Sequence, residues 1–196
     1  SFVAQYLQGM PRSYRLLWNG TGEKKPVTEK PLDITETADA IVITTGPAKF
    51  TVLKKGFNLI DSAWLDADGD GKFEAKEQRI AAGSEGGVWY ENRTARLNGA
   101  HTNTTVRVLE SGPERAVIAA EGWYANKERK ECIQKTRLFF ARGSKTVKIL
   151  HTWINTVDTR QGGRTREISL KLGVPGVSRY AFGSEGGAIY SGAAPR

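Results

Sequence analysis

Apolar and polar residues alternate with a period of two along much of this chain. From Lys145 to Ile154, alternate residues point to opposite sides, and both sides are largely apolar. Because successive side chains of an extended strand point to opposite faces, the alternation predicts a β-strand. The apolar character of both faces predicts a central strand that is covered on both sides.

The same period predicts further strands throughout the chain. The long ones are Ala116–Tyr124 and Cys132–Phe140, and the shorter ones are Tyr14–Trp18, Ala40–Thr45, Lys49–Leu53, Phe57–Leu65, Val88–Tyr90, Thr105–Leu109 and Glu167–Leu172. Turn residues such as Gly46-Pro47 and Gly112-Pro113 separate them. Many short strands with this punctuation predict an all-β sandwich or barrel, and Glu74–Ala82 is the one predicted helical segment.

A twelve-residue acidic segment, Asp66 to Glu77, matches the calcium loop of EF-hand proteins. Acidic residues stand at positions one, three, five, nine and twelve, and Gly71 allows the sharp bend at position six. Calcium prefers several hard oxygen ligands, and this spacing supplies them. The predicted ligands are Asp66, Asp68, Asp70, the backbone carbonyl of Lys72, Glu74 and Glu77.

The surroundings of this segment favour a structural calcium site over a helix–loop–helix sensor. Phe57–Leu65, which enters the loop, has the pattern of a strand, and the sequence contains no second loop to pair with it. We therefore expect Ca2+ in a loop inserted into a β-connection. Its ligands would nearly saturate the ion, which argues against calcium acting as a Lewis acid on a substrate.

Composition and charge limit the classes of partner that the chain is expected to bind. The chain has 29 basic and 21 acidic residues, a net charge of +8, so acidic polysaccharide is a candidate partner. Nucleic acid is a weak candidate because no basic helix or RNP-like aromatic motif is present. No apolar run is long enough for a membrane span, and the single cysteine, Cys132, excludes an intrachain disulfide.

No set of residues predicts a catalytic or cofactor-binding site. His151 lies in an apolar strand, where a hydrogen-bonded core histidine is the simpler interpretation. Cys132 alternates onto a strand face without an activating partner, as an inert buried thiol would. The five tryptophans could pack in the core or stack on sugar rings, and Trp89 is the best candidate for the second role because a Gly-rich stretch precedes it.

Three segments carry a resemblance to a known family: Gly46–Asp61 (GPAKFTVLKKGFNLID), Ser111–Val117 (SGPERAV) with Glu121-Gly122, and Thr146–Asn155 (TVKILHTWIN). They resemble the amino-terminal part of exo-rhamnogalacturonan-lyase-like (PcRGLX/YetA-like) proteins. The resemblance covers residues 12–190 in the same order. It implies a RIFT-type β-barrel in residues 1–92, which include the calcium loop, and the start of a central β-sandwich in residues 93–196.

The resemblance also implies a carboxy-terminal α/α toroid that is expected to carry much of the active site, so we transfer no catalytic residue to this chain. The calcium loop looks like an insertion relative to the family pattern. The leading hypothesis is a calcium-stabilised, non-catalytic β-region of a secreted, glycan-active protein similar to rhamnogalacturonan lyases.

Two other hypotheses remain open. One is an extracellular structural or adhesive module, such as a filament subunit, in which Ser1–Arg12 would serve as a donor arm for a neighbouring copy. The other is a complete small lyase, for which Arg, Lys, Tyr and His151 are available but not grouped by the sequence.

Overall fold

The computed structural model describes residues 31–83, 86–100, 104–157, 164–183 and 187–193. The predicted strand Tyr14–Trp18 and the predicted donor arm Ser1–Arg12 lie outside these ranges. The described strands are β1 Asp33–Glu36, β2 Ala40–Thr44, β3 Ala48–Leu53, β4 Ser62–Leu65, β5 Gln78–Ile80, β6 Gly87–Asn92, β7 Arg96–Asn98, β8 Thr105–Ser111, β9 Arg115–Ala125, β10 Lys130–Ala141, β11 Lys148–Ile154, β12 Thr165–Lys171, β13 Arg179–Gly183 and β14 Ile189–Ala193. A single 3-10 turn, Ala75–Glu77, precedes β5.

The strands form two antiparallel sheets and a hairpin. The first sheet is an antiparallel meander in the order β1-β2-β3-β4-β5. The second has the order β11-β10-β9-β7-β6-β12, with β8 also pairing with β9. Strands β13 and β14 pair only with each other among the described residues.

The two sheets share one hydrophobic core. The rings of Phe50 on β3 and Phe140 on β10 lie 5.3 Å apart, and both side chains are buried. Backbone hydrogen bonds join the sheets at the same end, where Gly143 N donates to Thr45 O at 2.7 Å. The alternation of buried and partly exposed residues along β3 and β10 is what places these rings between the layers.

The predicted all-β class is confirmed, with a curled sheet and a β-sandwich. The curled sheet β1–β5 occupies the part of the chain for which a RIFT-type barrel is predicted. Strand β6, which precedes the predicted boundary after residue 92, pairs with β7 and β12, which follow it. The division into residues 1–92 and 93–196 stays a prediction.

The predicted helix Glu74–Ala82 is wrong. Only Ala75–Glu77 forms a turn of 3-10 helix, and the chain then continues as β5. Strand pairing decides this, because Gln78 and Ile80 lie opposite Trp64 and Ala63 of β4. Ile80 is buried there, so packing on the first sheet overrides the weak helical preference.

Two strand predictions also need correction. Phe57–Leu65 is a strand only from Ser62, and Leu59, with a φ of 73°, interrupts the extended backbone before it. The prediction of a central strand at Lys145–Ile154 is wrong within the described part of the chain. Strand β11 pairs only with β10, and Leu150 and Ile154 on its outer face are exposed because no layer of described residues covers them.

Candidate functional site

The acidic loop, residues 66–77, connects β4 to β5 at one end of the first sheet. Asp66 N donates to Pro47 O at 3.0 Å, which ties the start of the loop to the β2–β3 turn. Gly69 and Gly71 both have a φ of 78°, a left-handed conformation that glycine adopts without strain. The loop therefore folds back on itself within a few residues, and this reversal turns its carboxylates toward each other.

Asp66, Asp68 and Asp70 form a carboxylate cluster. One oxygen from each lies within 4.8 Å of the other two. Asp66 is buried, and its two oxygens accept from Gly69 N at 2.7 Å and from Gly71 N at 3.0 Å. These two hydrogen bonds fix the orientation of this buried carboxylate.

Glu77 is the most deeply buried acid of the loop, with only 1% of its surface exposed. Its oxygens accept from Ala67 N at 2.7 Å and from Glu74 N at 3.2 Å. Glu77 therefore connects the first residues of the loop with its last turn. Among the described residues, no Lys, Arg or His lies within ion-pair distance of Glu77 or Asp66. Within the described ranges, these two buried carboxylates are therefore held by backbone N–H groups without a cationic side chain.

Lysines compensate the exposed carboxylates instead. Lys76 Nζ lies 2.8 Å from Glu74 and 3.4 Å from Asp68, and Lys72 lies 3.7 Å from Asp70. The backbone N–H of Asp70, with Lys76, lowers the pKa of Asp68, and Glu74 with Asp68 raises the pKa of Lys76. These pairs are solvent-exposed, so each contributes little to stability.

The structure brings together three of the five predicted acidic ligands. Asp66, Asp68 and Asp70 converge, whereas Glu74 pairs with Lys76 and Glu77 bonds to backbone N–H groups. The convergent groups are all hard oxygens, the ligands that Ca2+ prefers. The donor chemistry of this cluster therefore fits calcium.

A cleft of about 600 Å³ lies beside the loop. Asp70, Gly71 and Phe73 form the side that belongs to the loop, and Thr45 with Gly46 belongs to the first sheet. Phe73 is anchored under Lys49, whose Nζ lies 5.1 Å from the ring centroid. The loop is thus attached to the sheet at its start, its middle and its end.

A second candidate site lies on the outer face of the second sheet. It is a shallow groove of about 360 Å³, which we call the Trp89 groove, and it is lined by Trp89, Arg96, Asn98, Ala125, Asn126 and Lys127. The guanidinium carbon of Arg96 lies 4.9 Å from the centroid of the Trp89 ring. Among these residues the sequence singled out only Trp89. The cations come from two segments that are distant in sequence, so no local spacing could reveal them.

The comparisons with known proteins point to one family. A model of the PcRGLX-like protein central beta sandwich domain matches residues 32–175. The chain belongs to the PcRGLX-like family. The matched range contains both sheets of the structure, from β1 to β12, and the acidic loop and the Trp89 groove lie within it. A search of curated proteins found no match.

A polar network lies inside this PcRGLX-like sandwich, on the inner face of β9, β10 and β11. Tyr124 Oη lies 2.6 Å from His151 Nε2, and Thr136 Oγ1 lies 2.8 Å from His151 Nδ1. Thr136 donates onward to Gln134 Oε1 at 2.8 Å, so His151 Nδ1 donates to Thr136 and Tyr124 donates to His151 Nε2. Burial lowers the pKa of His151 and raises the pKa of Tyr124, so both groups are neutral near pH 7.

These contacts agree with the sequence interpretation of His151 as a half-buried, hydrogen-bonded residue. Cys132 is a free thiol with no exposed surface, as predicted for an inert cysteine. Within the described ranges, no helix is long and apolar enough to cross a membrane.

Proposed function

We propose that this PcRGLX-like chain is a calcium-stabilised, non-catalytic β-region of a secreted protein that acts on glycans. The family supports the glycan connection. The observation that carries the calcium part is the pair of buried carboxylates, Asp66 and Glu77, with no cationic side chain in contact among the described residues. Calcium in the loop would supply the missing positive charge.

Electrostatics explains why an ion would stabilise this loop. Three carboxylate oxygens within 4.8 Å of each other repel, and Lys72 and Lys76 approach only the exposed acids. A divalent cation converts this repulsion into attraction. Calcium loops of extracellular modules bind with dissociation constants of about 10⁻⁴–10⁻³ M, which suits a secreted protein.

Thermal unfolding with and without calcium tests this proposal. We expect calcium at about one hundred times its dissociation constant to add about 2.7 kcal/mol of stability, and a chelator to remove it. Asp66→Asn should abolish the stability increment from calcium because it removes the buried charge of the carboxylate cluster. Asp39→Asn, which removes an exposed acid from the β1–β2 turn, should retain it. Identical melting temperatures of the wild type in calcium and in chelator would refute the calcium proposal.

The non-catalytic part of the proposal is tested separately. This chain, incubated with rhamnogalacturonan, should produce no new ultraviolet absorbance from unsaturated uronate. A steady increase in that absorbance, at a rate proportional to protein concentration, would show a complete lyase instead.

A structural or adhesive module is the second candidate function, and the exposed apolar residues of the hairpin β13–β14 favour it. Ile189 is 77% exposed and Tyr190 is 53% exposed. Such side chains at a strand pair suit association with another β-layer. Sedimentation velocity should then show concentration-dependent assembly that Ile189→Asp reduces, whereas a monomer at all concentrations would exclude this function.

A further inference from the structure

We propose that the Trp89 groove binds a carboxylate-bearing sugar, a uronate residue of an acidic glycan chain. This inference rests on the proposed glycan function and adds a site to it. The groove lies on the solvent face of the second sheet, away from the acidic loop and from the inner network of His151.

Strand register builds the groove. Trp89 of β6 lies opposite Asn98 of β7, and Asn98 lies opposite Ala125 of β9, so the three residues form one row across the sheet. Trp89 rises at one side of this row, whereas Ala125 is small and leaves a depression. The turn after β9 then places Asn126 and Lys127 at the other side.

The cations of the groove are held in place but not neutralised. Arg96 lies over the Trp89 ring at 4.9 Å, and Lys171 Nζ lies 5.7 Å from the same ring centroid. No described carboxylate lies within ion-pair distance of Arg96 or Lys127. Glu91, which is opposite Arg96 in the register, lies 3.7 Å from Arg166 instead. The groove therefore offers an oriented guanidinium and an ammonium to an external anion.

The neutral groups also offer donors. Asn98 Oδ1 accepts from Ala100 N at 2.6 Å, and Asn126 Oδ1 accepts from Glu128 N at 2.9 Å. Both amide oxygens are used within the protein, and no described group accepts from either NH2, so these NH2 groups can donate to ligand oxygens. A planar carboxylate fits the guanidinium fork, and sugar hydroxyls accept from the amides, so a uronate matches the whole set.

A second aromatic–cation pair extends the same face. Lys130 lies opposite Ala125, and its Nζ is 5.1 Å from the centroid of Trp123. Trp123 and Trp89 stand two strands and two residues apart, a separation of about 12 Å between their backbones. The distance favours a chain of linked sugars over a single free uronate.

Isothermal titration with an oligogalacturonate tests the site, with its carboxyl-reduced, neutral counterpart as the ligand control. We expect the wild type to bind the acidic chain more tightly than the neutral one. Arg96→Lys keeps the charge but removes the fork, and Lys127→Ala removes the second cation. Each should weaken binding about tenfold. Arg79→Ala, which removes one exposed cation from β5 of the other sheet, should leave the affinity unchanged.

The outcomes separate this inference from the proposed function. If the wild type binds the acidic chain but both groove variants bind equally well, the groove assignment is wrong and the glycan function stands. If the wild type binds neither glycan, the uronate site is wrong, whereas the proposed function is decided by the calcium and lyase experiments above. The wild type is also titrated with a single-stranded DNA oligonucleotide. If it bound the oligonucleotide more tightly than the acidic glycan, and if the same two variants weakened that binding, the ligand of the groove would be a nucleic acid and not a uronate. The melting temperatures of the Arg96, Lys127 and Arg79 variants serve as a control. If they equal that of the wild type, a change in affinity comes from the binding site and not from a loss of folding.

Discussion

The acidic loop and the Trp89 groove carry opposite charge, and they are organised in different ways. The loop is local: its carboxylates lie within twelve consecutive residues, and backbone N–H groups of the same segment orient Asp66 and Glu77. The groove is assembled from β6, β7, β9 and the turn after β9, and an aromatic ring orients its arginine. A short motif can therefore bring carboxylates together within one loop, whereas this cationic site exists only after the sheet has formed.

The largest expected effect concerns the packing beneath the groove. A Cβ at Gly99 would lie 2.3 Å from Val88 Cγ2 and 3.3 Å from Gln134 Cγ, both in buried residues. We expect Gly99→Ala to lower the free energy of unfolding by about 3 kcal/mol through overpacking. Urea unfolding measures this.

Gly112→Ala is the matched control for that variant. Its added Cβ would meet only Arg115 O at an ordinary 3.5 Å, so its stability should stay near that of the wild type. Equal stability of the two alanine variants would contradict the view that the groove depends on tight packing between strands.

A smaller effect is expected from opening the loop. Glu77→Ala, measured in chelator so that no calcium contributes, removes the acceptor of Ala67 N and of Glu74 N. We expect a loss of about 1–2 kcal/mol in urea unfolding, comparable to the loss of a helix cap. Glu128→Ala, which truncates an exposed acid in the turn before β10, should cost much less. If both variants were equally stable, the two hydrogen bonds that Glu77 accepts would not contribute to the stability of the fold.

Acid should weaken the His151 network of the second sheet and the acidic loop in different pH ranges. Burial lowers the folded-state pKa of His151 below 6.5. As the pH falls, His151 therefore gains a proton in the unfolded chain before it does so in the folded chain. This contribution to stability is complete above pH 6.5 and is lost as the pH falls from there toward the folded pKa. Asp68 has a pKa lowered from 3.8, so its contribution is lost only in stronger acid.

Melting temperatures between pH 7.5 and pH 5.5 test the histidine contribution. His151→Asn, which cannot gain a proton, should show a shallower decline over this range than the wild type. If the melting temperatures of the wild type and the variant fell equally, protonation of His151 would not contribute to the pH dependence of stability.

The smallest effect on stability should come from the groove cations. Arg96 and Lys127 are exposed, and no described carboxylate is within ion-pair distance of either, so Arg96→Ala and Lys127→Ala should change the free energy of unfolding by less than about 0.5 kcal/mol. The same variants are expected to weaken glycan binding. A large loss of stability would show that these cations are structural rather than held for a ligand.

The sequence alone determined the all-β class, most strand positions and the composition of the acidic loop. Alternation along β10 and the glycines at 69 and 71 are local properties, and local geometry follows from them directly. The tertiary structure decided the rest. Residues 78–80 became a strand because β4 was available to pair with them, and β11 became an edge because no described strand lies beyond it. Arg96 and Lys127 meet Trp89 only through register between strands, and Tyr124 reaches His151 across β10, because sheet formation brings together residues that their order along the chain keeps apart.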